Sequence, residues 1–281
     1  MVKEQKVPEN FYYFTSLNND ERKKWFREII LENQLYFRQR NQLNDPNELR
    51  PSIIFEGSDK QIRNYVRNSI IKHSRIKFSP AERLLEENKQ IYQLRNSPQS
   101  VEAIVHDILD RVGIFSLSEI PTEPLLWAHY ADGHKGVVIE FDANSGLFQI
   151  AQKVTYANEA PVINRLIDTM DEILTKSMFT KNSYWSHEQE WRLIARWQDE
   201  ARLNRYLSEK AIPAAVESFM RNLHGPGKYD FPASAVKSVI VGANVSTDTI
   251  TWLNSVIEQA SNPIKIRHAE IERNGAVKIL N

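Results

Sequence analysis

Apolar residues recur along this chain with two periods, near 3.6 and near 2, in blocks that replace one another, and each block predicts an element. Phe11-Tyr-Tyr-Phe14 reads as a short strand. Asn18-Asn-Asp20 then caps a helix whose apolar positions Trp25, Phe26, Ile29 and Ile30 fall at helical spacing. Leu35-Tyr-Phe37 returns as a strand, and Asn44-Asp-Pro-Asn-Glu48 is a turn by its chemistry, because Asn and Asp side chains bond nearby backbone and proline fixes φ. From Ile62 to Leu109 the period is mostly helical. Ile114-Phe-Ser-Leu117 reads as a strand, Pro124 opens a short helix through Trp127 to Ala131, and Gly136-Val-Val-Ile-Glu-Phe141 reads as a buried strand.

Val154-Thr-Tyr156 reads as a further strand, and Leu166, Ile167, Met170, Ile173 and Leu174 mark a helix. A helical stretch follows over about 200–223, ended by Gly225-Pro-Gly227. Val236 to Val241, Ile264 to His268 and Ala276 to Leu280 are strands, with a capped helix from Ser246 to Ala260. Strands and helices mix without a regular βαβ rhythm, so the expected class is α+β, a mixed or antiparallel sheet core with a helical insertion at approximately 59–112, in one domain over residues 1–281. Nine glycines without a G-x-G-x-x-G run give a Rossmann reading no support.

Between Lys181 and Leu193 the period-2 pattern carries chemistry. Glu188 and Glu190, two apart, are expected on one face of a strand with Arg192 next in the row, while Trp191, Leu193 and Ala195 face the core. Two carboxylates roughly 6–7 Å apart repel, which raises at least one pKa. A second cluster, Trp127, His129, Tyr130, Asp132, His134, Lys135 and Gly136, lies between a helix and a buried strand. Its bland reading is Trp127 and Tyr130 as core residues, His129 as a satisfied histidine and Asp132-Gly133 as a turn. The spacing of His129, Asp132 and His134 fits no zinc signature, so no metal site is assigned. A metal-dependent nuclease or phosphodiesterase using Glu140, Asp142, Glu188 and Glu190 would need carboxylates on adjacent strands.

Composition narrows the choice. The 281 residues are 41% apolar, enough for a buried core, and 36 basic residues balance 36 acidic ones, so any case for nucleic acid must be local. The local case is the run from Lys60 to Lys77, where Arg63, Arg67 and Lys72 stand as candidate phosphate contacts and a solvated helix face is the alternative. The absence of cysteine excludes disulfides, thiolate metal sites and a cysteine nucleophile. A polar N-terminus and the lack of an apolar run of about 20 residues lead us to expect a cytoplasmic protein with no membrane association.

Asn44-Asp-Pro-Asn-Glu48, Trp127 to Gly136, Glu140-Phe-Asp142 and Lys181 to Arg192, in this order, resemble the DUF2971 family of uncharacterised bacterial proteins. Tyr12-Tyr-Phe14 departs from that family's Tyr-Lys-Tyr-like first strand. The Glu-x-Glu pair is more distantly similar to that of ADP-ribosyltransferases. That resemblance implies an ADP-ribosyltransferase-like fold and an enzyme that cleaves the nicotinamide-ribose bond of NAD, as a toxin or phage-defence effector acting on a protein or nucleic-acid acceptor. It implies Glu190 as the catalytic glutamate with Glu188 as its partner, His129 at the ribose, Trp127 or Tyr130 stacked on nicotinamide, and Asn44, Asp45, Arg192 and Lys181 holding the nucleotide. The opposing class is a non-catalytic binding module in which Glu188, Arg192 and Lys181 form a structural ion-pair network.

Overall fold

The computed structural model describes residues 6–71, 77–96, 99–196, 203–204, 207–208 and 214–280. Its strands are β1 (Asn10–Thr15), β2 (Gln34–Phe37), β3 (Ser52–Ile54), β4 (Gly113–Ser118), β5 (Val137–Asp142), β6 (Gln152–Lys153), β7 (Thr155–Ala157), β8 (Val162–Asn164), β9 (Thr180–Asn182), β10 (Glu190–Ala195), β11 (Gly227–Asp230), β12 (Val236–Val241), β13 (Lys265–Ile271) and β14 (Val277–Leu280). Its α-helices are α1 (Asp20–Leu31), α2 (Asp59–Tyr65), α3 (Pro80–Asn96), α4 (Gln99–Asp110), α5 (Pro124–Tyr130), α6 (Met170–Phe179), α7 (Ala214–Asn222) and α8 (Thr247–Ile257). Lys72 and Arg75 of the basic run, and much of the helical stretch expected over 200–223, lie outside the described residues.

The chain divides into two compact units, residues 1–43, 111–156 and 183–281 in the first and residues 44–110 and 157–182 in the second. The first holds an eight-stranded sheet in the order β14-β13-β12-β5-β1-β4-β10-β6. β12 and β13 run parallel and the other neighbours antiparallel, so the sheet is mixed and the fold α+β, as the element pattern predicts. One face packs Phe11, Phe115, Leu117, Ile139, Phe141, Trp191, Leu193 and Val239 against Phe26, Ile29 and Ile30 of α1 and Leu253 and Val256 of α8. Asn19 starts α1 by accepting the Arg22 amide at 2.9 Å, and Ser246 accepts from Thr249 at the start of α8.

The other face buries a smaller apolar group, Phe14, Val138 and Ile240 under Leu126, Trp127 and Ala131 of the α5 segment. Only part of this face is apolar, and the polar remainder is where the candidate site lies.

In the second unit a parallel β3–β8 pair accompanies α2, α3, α4 and α6. The helices fill the range expected for the insertion, yet α2 gives way after Tyr65 to a π-helical turn, Val66–Ile71. Arg63 bonds Asn88 at 3.1 Å and Arg67 bonds the buried Glu87 at 2.7 Å, so both arginines of the expected phosphate face have partners inside the unit. α6 begins at Met170, later than the apolar spacing from Leu166 implies, because Thr169 and Glu172 form a reciprocal capping box there.

Candidate functional site

The paired glutamates do not share a strand. Ser183–Glu188 is a 3-10 helix, Gln189 turns with φ of 44°, and β10 starts at Glu190. The left-handed residue between them breaks the two-residue alternation, so the expected row shortens to Glu190 and Arg192. The other half of the expectation holds, with Trp191, Leu193 and Ala195 in the core.

Glu190 and Arg192 are buried, 2% and 0% exposed. Arg192 donates to both carboxylate oxygens, Nε to Oε1 at 2.8 Å and Nη2 to Oε2 at 2.9 Å. Burial pulls the guanidinium down to about 9, which leaves it charged at neutral pH beside its carboxylate. The Glu190 amide donates to Tyr156 Oη at 2.8 Å, and the neighbouring Trp191 indole donates to Glu119, itself paired with Lys153 at 2.8 Å.

Glu188 faces a different partner. Tyr130 Oη donates to its Oε1 at 2.6 Å, while Ser118 Oγ donates to its backbone carbonyl at 2.8 Å. Tyr130 ends α5, which Pro124 opens and Glu123 caps by accepting the Leu125 amide at 3.1 Å. The half-buried Tyr130 packs on the apolar group under α5, and His129, exposed beside it, sets its ring 6.5 Å from the Tyr130 ring. Trp127 is 0% exposed, with its indole N–H donated to Pro121 O at 2.7 Å and its face stacked on His134 at 5.7 Å. No face of it is open to a ligand ring, so the expected stacking role gives way to a core role.

Beyond α5 the chain reverses through Asp132, Gly133 and His134, with φ of 52°, 60° and 67°. The turn is held from outside: Asn244 N donates to His134 O at 2.9 Å and Gly242 N to Gly136 O at 3.0 Å. A Cβ on Gly242 would sit 2.2 Å from His134 O, and one on Gly136 would sit 2.3 Å from Thr15 O. Only glycine permits these approaches. Burial holds the His134 imidazole below the usual histidine range.

Glu140 stands on the same sheet face as Glu190 but at a distance. The register Glu140–Tyr12, Tyr12–Ser118, Ser118–Glu190 puts β1 and β4 between them, roughly 14 Å at ordinary strand spacing. The nuclease alternative required carboxylates on adjacent strands, and these two are not. Among the described residues no group of three or more His, Cys, Asp or Glu could hold a metal ion.

The remaining expected residues belong to the second unit. Asn44 and Asp45 lie in the predicted turn, where Asp45 accepts the Asn47 amide at 2.8 Å. Lys181 pairs with Glu48 at 3.8 Å with both side chains buried. Glu119, Ser118, Tyr12, Ser238 and Arg267 join the polar groupings without having been singled out in the sequence. Ser118 and Ser238 had a signal, a small polar residue at an inward position of an apolar strand. Tyr12, Glu119 and Arg267 had none, since their neighbours are set by strand order.

These features define an α+β protein whose mixed sheet carries buried carboxylates on the face that α5 partly covers. Residues 126–193 match the family described as "Protein of unknown function (DUF2971)". The span takes in Trp127 to Gly136, Glu140-Phe-Asp142 and Lys181 to Arg192, and leaves Asn44 to Glu48 outside. No curated protein and no solved structure matches the chain. Among the described residues no helix is long and apolar enough to cross a membrane.

Proposed function

We propose that the α5 side of residues 126–193 handles a nucleotide-type small molecule, NAD in the first instance, and that Glu188 rather than Glu190 is the carboxylate that meets its ribose. The supporting observation is the 2.6 Å bond from Tyr130 to Glu188, which joins the two motifs of the matched segment at one point. Glu190 is a poor candidate because Arg192 occupies both of its oxygens. Glu188 instead connects through a half-buried tyrosine to α5, where His129 is exposed.

In the proposed reaction the C1′–N bond of the nicotinamide riboside breaks and its electron pair leaves on nicotinamide. Glu188 stabilises the positive ribose that results, as carboxylates do in glycoside cleavage. A nucleophile on a protein or nucleic-acid acceptor, or water, then bonds C1′ and releases its proton. A role as toxin or defence effector would follow from that activity. The test is NAD consumption by the purified protein: E188Q should lose at least tenfold in rate and Y130F less. An active protein in which E188Q turns over NAD at the wild-type rate would sink this reading.

A second reading has its own observation. Glu190–Arg192 and Glu48–Lys181 are both buried ion pairs, which suits a binding module whose motif charges hold the fold. That reading wins if the wild type consumes no NAD while E188A and E190A only lower the melting temperature.

A further inference from the structure

The sheet face that carries Glu190 continues into a second polar grouping outside the Glu188 site. Ser238, Glu140, Tyr12, Ser118 and Glu190 are register partners across β12, β5, β1, β4 and β10, so their side chains form one row on one face. At the β12–β13 end of the row Glu140 is the centre. Ser238 Oγ makes a short bond to its Oε2, Tyr12 Oη donates to Oε1 at 3.3 Å, and Arg267 Nη1 lies 3.4 Å from Oε2. Two of the three contacts are long, and the Arg267 Nε–H is buried with no hydrogen-bond partner among the described residues. An unmet buried donor is costly, and native interiors rarely leave one.

The charges restrict what completes it. An anion arriving at Arg267 would also face Glu140, and a cation arriving at Glu140 would also face Arg267. A hydroxyl suits both, because its oxygen accepts from the guanidinium N–H while its proton goes to the carboxylate. Two adjacent hydroxyls would meet Arg267 and Glu140 together, with Tyr12 beside them. The margin is open: Tyr12 is half-buried, the Arg267 side chain is 23% exposed, and Lys265 on the same face is exposed.

We propose that Tyr12, Glu140, Ser238 and Arg267 form a subsite for a neutral vicinal diol of the ribose kind. The choice of ribose rests on the proposed NAD reading, whereas the diol rests on Arg267 and Glu140 alone. The probe is methyl β-D-ribofuranoside, followed by backbone amide NMR on the full chain, with the 2-deoxy riboside as control. Saturable shifts are expected at residues 12, 140, 238 and 267, at least tenfold weaker for the 2-deoxy compound and for R267M. Y12F deletes one hydroxyl and serves as the second variant if R267M unfolds; it should weaken the riboside severalfold. Unmoved wild-type signals, or one affinity for wild type, R267M and Y12F, would overturn the subsite and leave an ordered water as the partner of Arg267. NAD turnover with no riboside response removes this inference alone, and a riboside response without NAD turnover removes the NAD reading alone.

Discussion

At the scale of the residue, Glu188 and Glu190 separate into two unlike groups. Glu190 is neutralised by a guanidinium at hydrogen-bond distance, and Glu188 is bonded by a phenol. Removing one partner of a buried pair strands the other, so E190A should cost about 3–5 kcal/mol, read from denaturant unfolding. Replacing both Glu190 and Arg192 by apolar residues should recover part of that loss. His134 supplies a pH dependence. Its pKa is lowered by burial against Trp127, so the folded chain resists a proton that the unfolded chain takes up below about 6.5. Stability should therefore be unaffected by this group above that pH, fall as pH drops through it, and level off below the folded pKa. Melting curves from pH 7.5 to 5 should show a flatter decline for H134F than for the wild type.

At the scale of the element, α5 and its following turn place Tyr130. The helix is only seven residues long, so tertiary contacts rather than propensity hold it. The Gly242 approach to His134 O holds the turn that follows the helix. G242A has no room for its Cβ against backbone and should destabilise by about 1–3 kcal/mol, measured as a lower melting temperature. The elements themselves were largely legible: β1, α1, β2, α5, β5, β12 and α8 follow from hydrophobic period and capping residues. The start of β10 was not, because Gln189 adopts a left-handed φ that its residue type does not announce. The π-helical turn after α2 was equally silent, since Ile62, Val66 and Ile70 recur every four residues, a spacing that reads as ordinary α-helix.

At the scale of the whole molecule, the chain makes its main sheet from strands far apart in sequence, β1 lying between β4 and β5 and β10 beyond β4. Two compact units result, each assembled from separate stretches of chain, and the candidate residues divide between them. Asn44, Asp45 and Lys181 fall in the second, while Tyr130, Glu188, Glu190 and Arg192 fall in the first. By itself the sequence determined the α+β class, the apolar faces and the motifs by which residues 126–193 match a family model, because local periodicity and spacing carry that information. Which carboxylate meets Arg192, which meets Tyr130, and that Tyr12, Glu140 and Arg267 are neighbours was decided by the tertiary structure alone. Strand order and register join positions more than a hundred residues apart, and no local pattern encodes them.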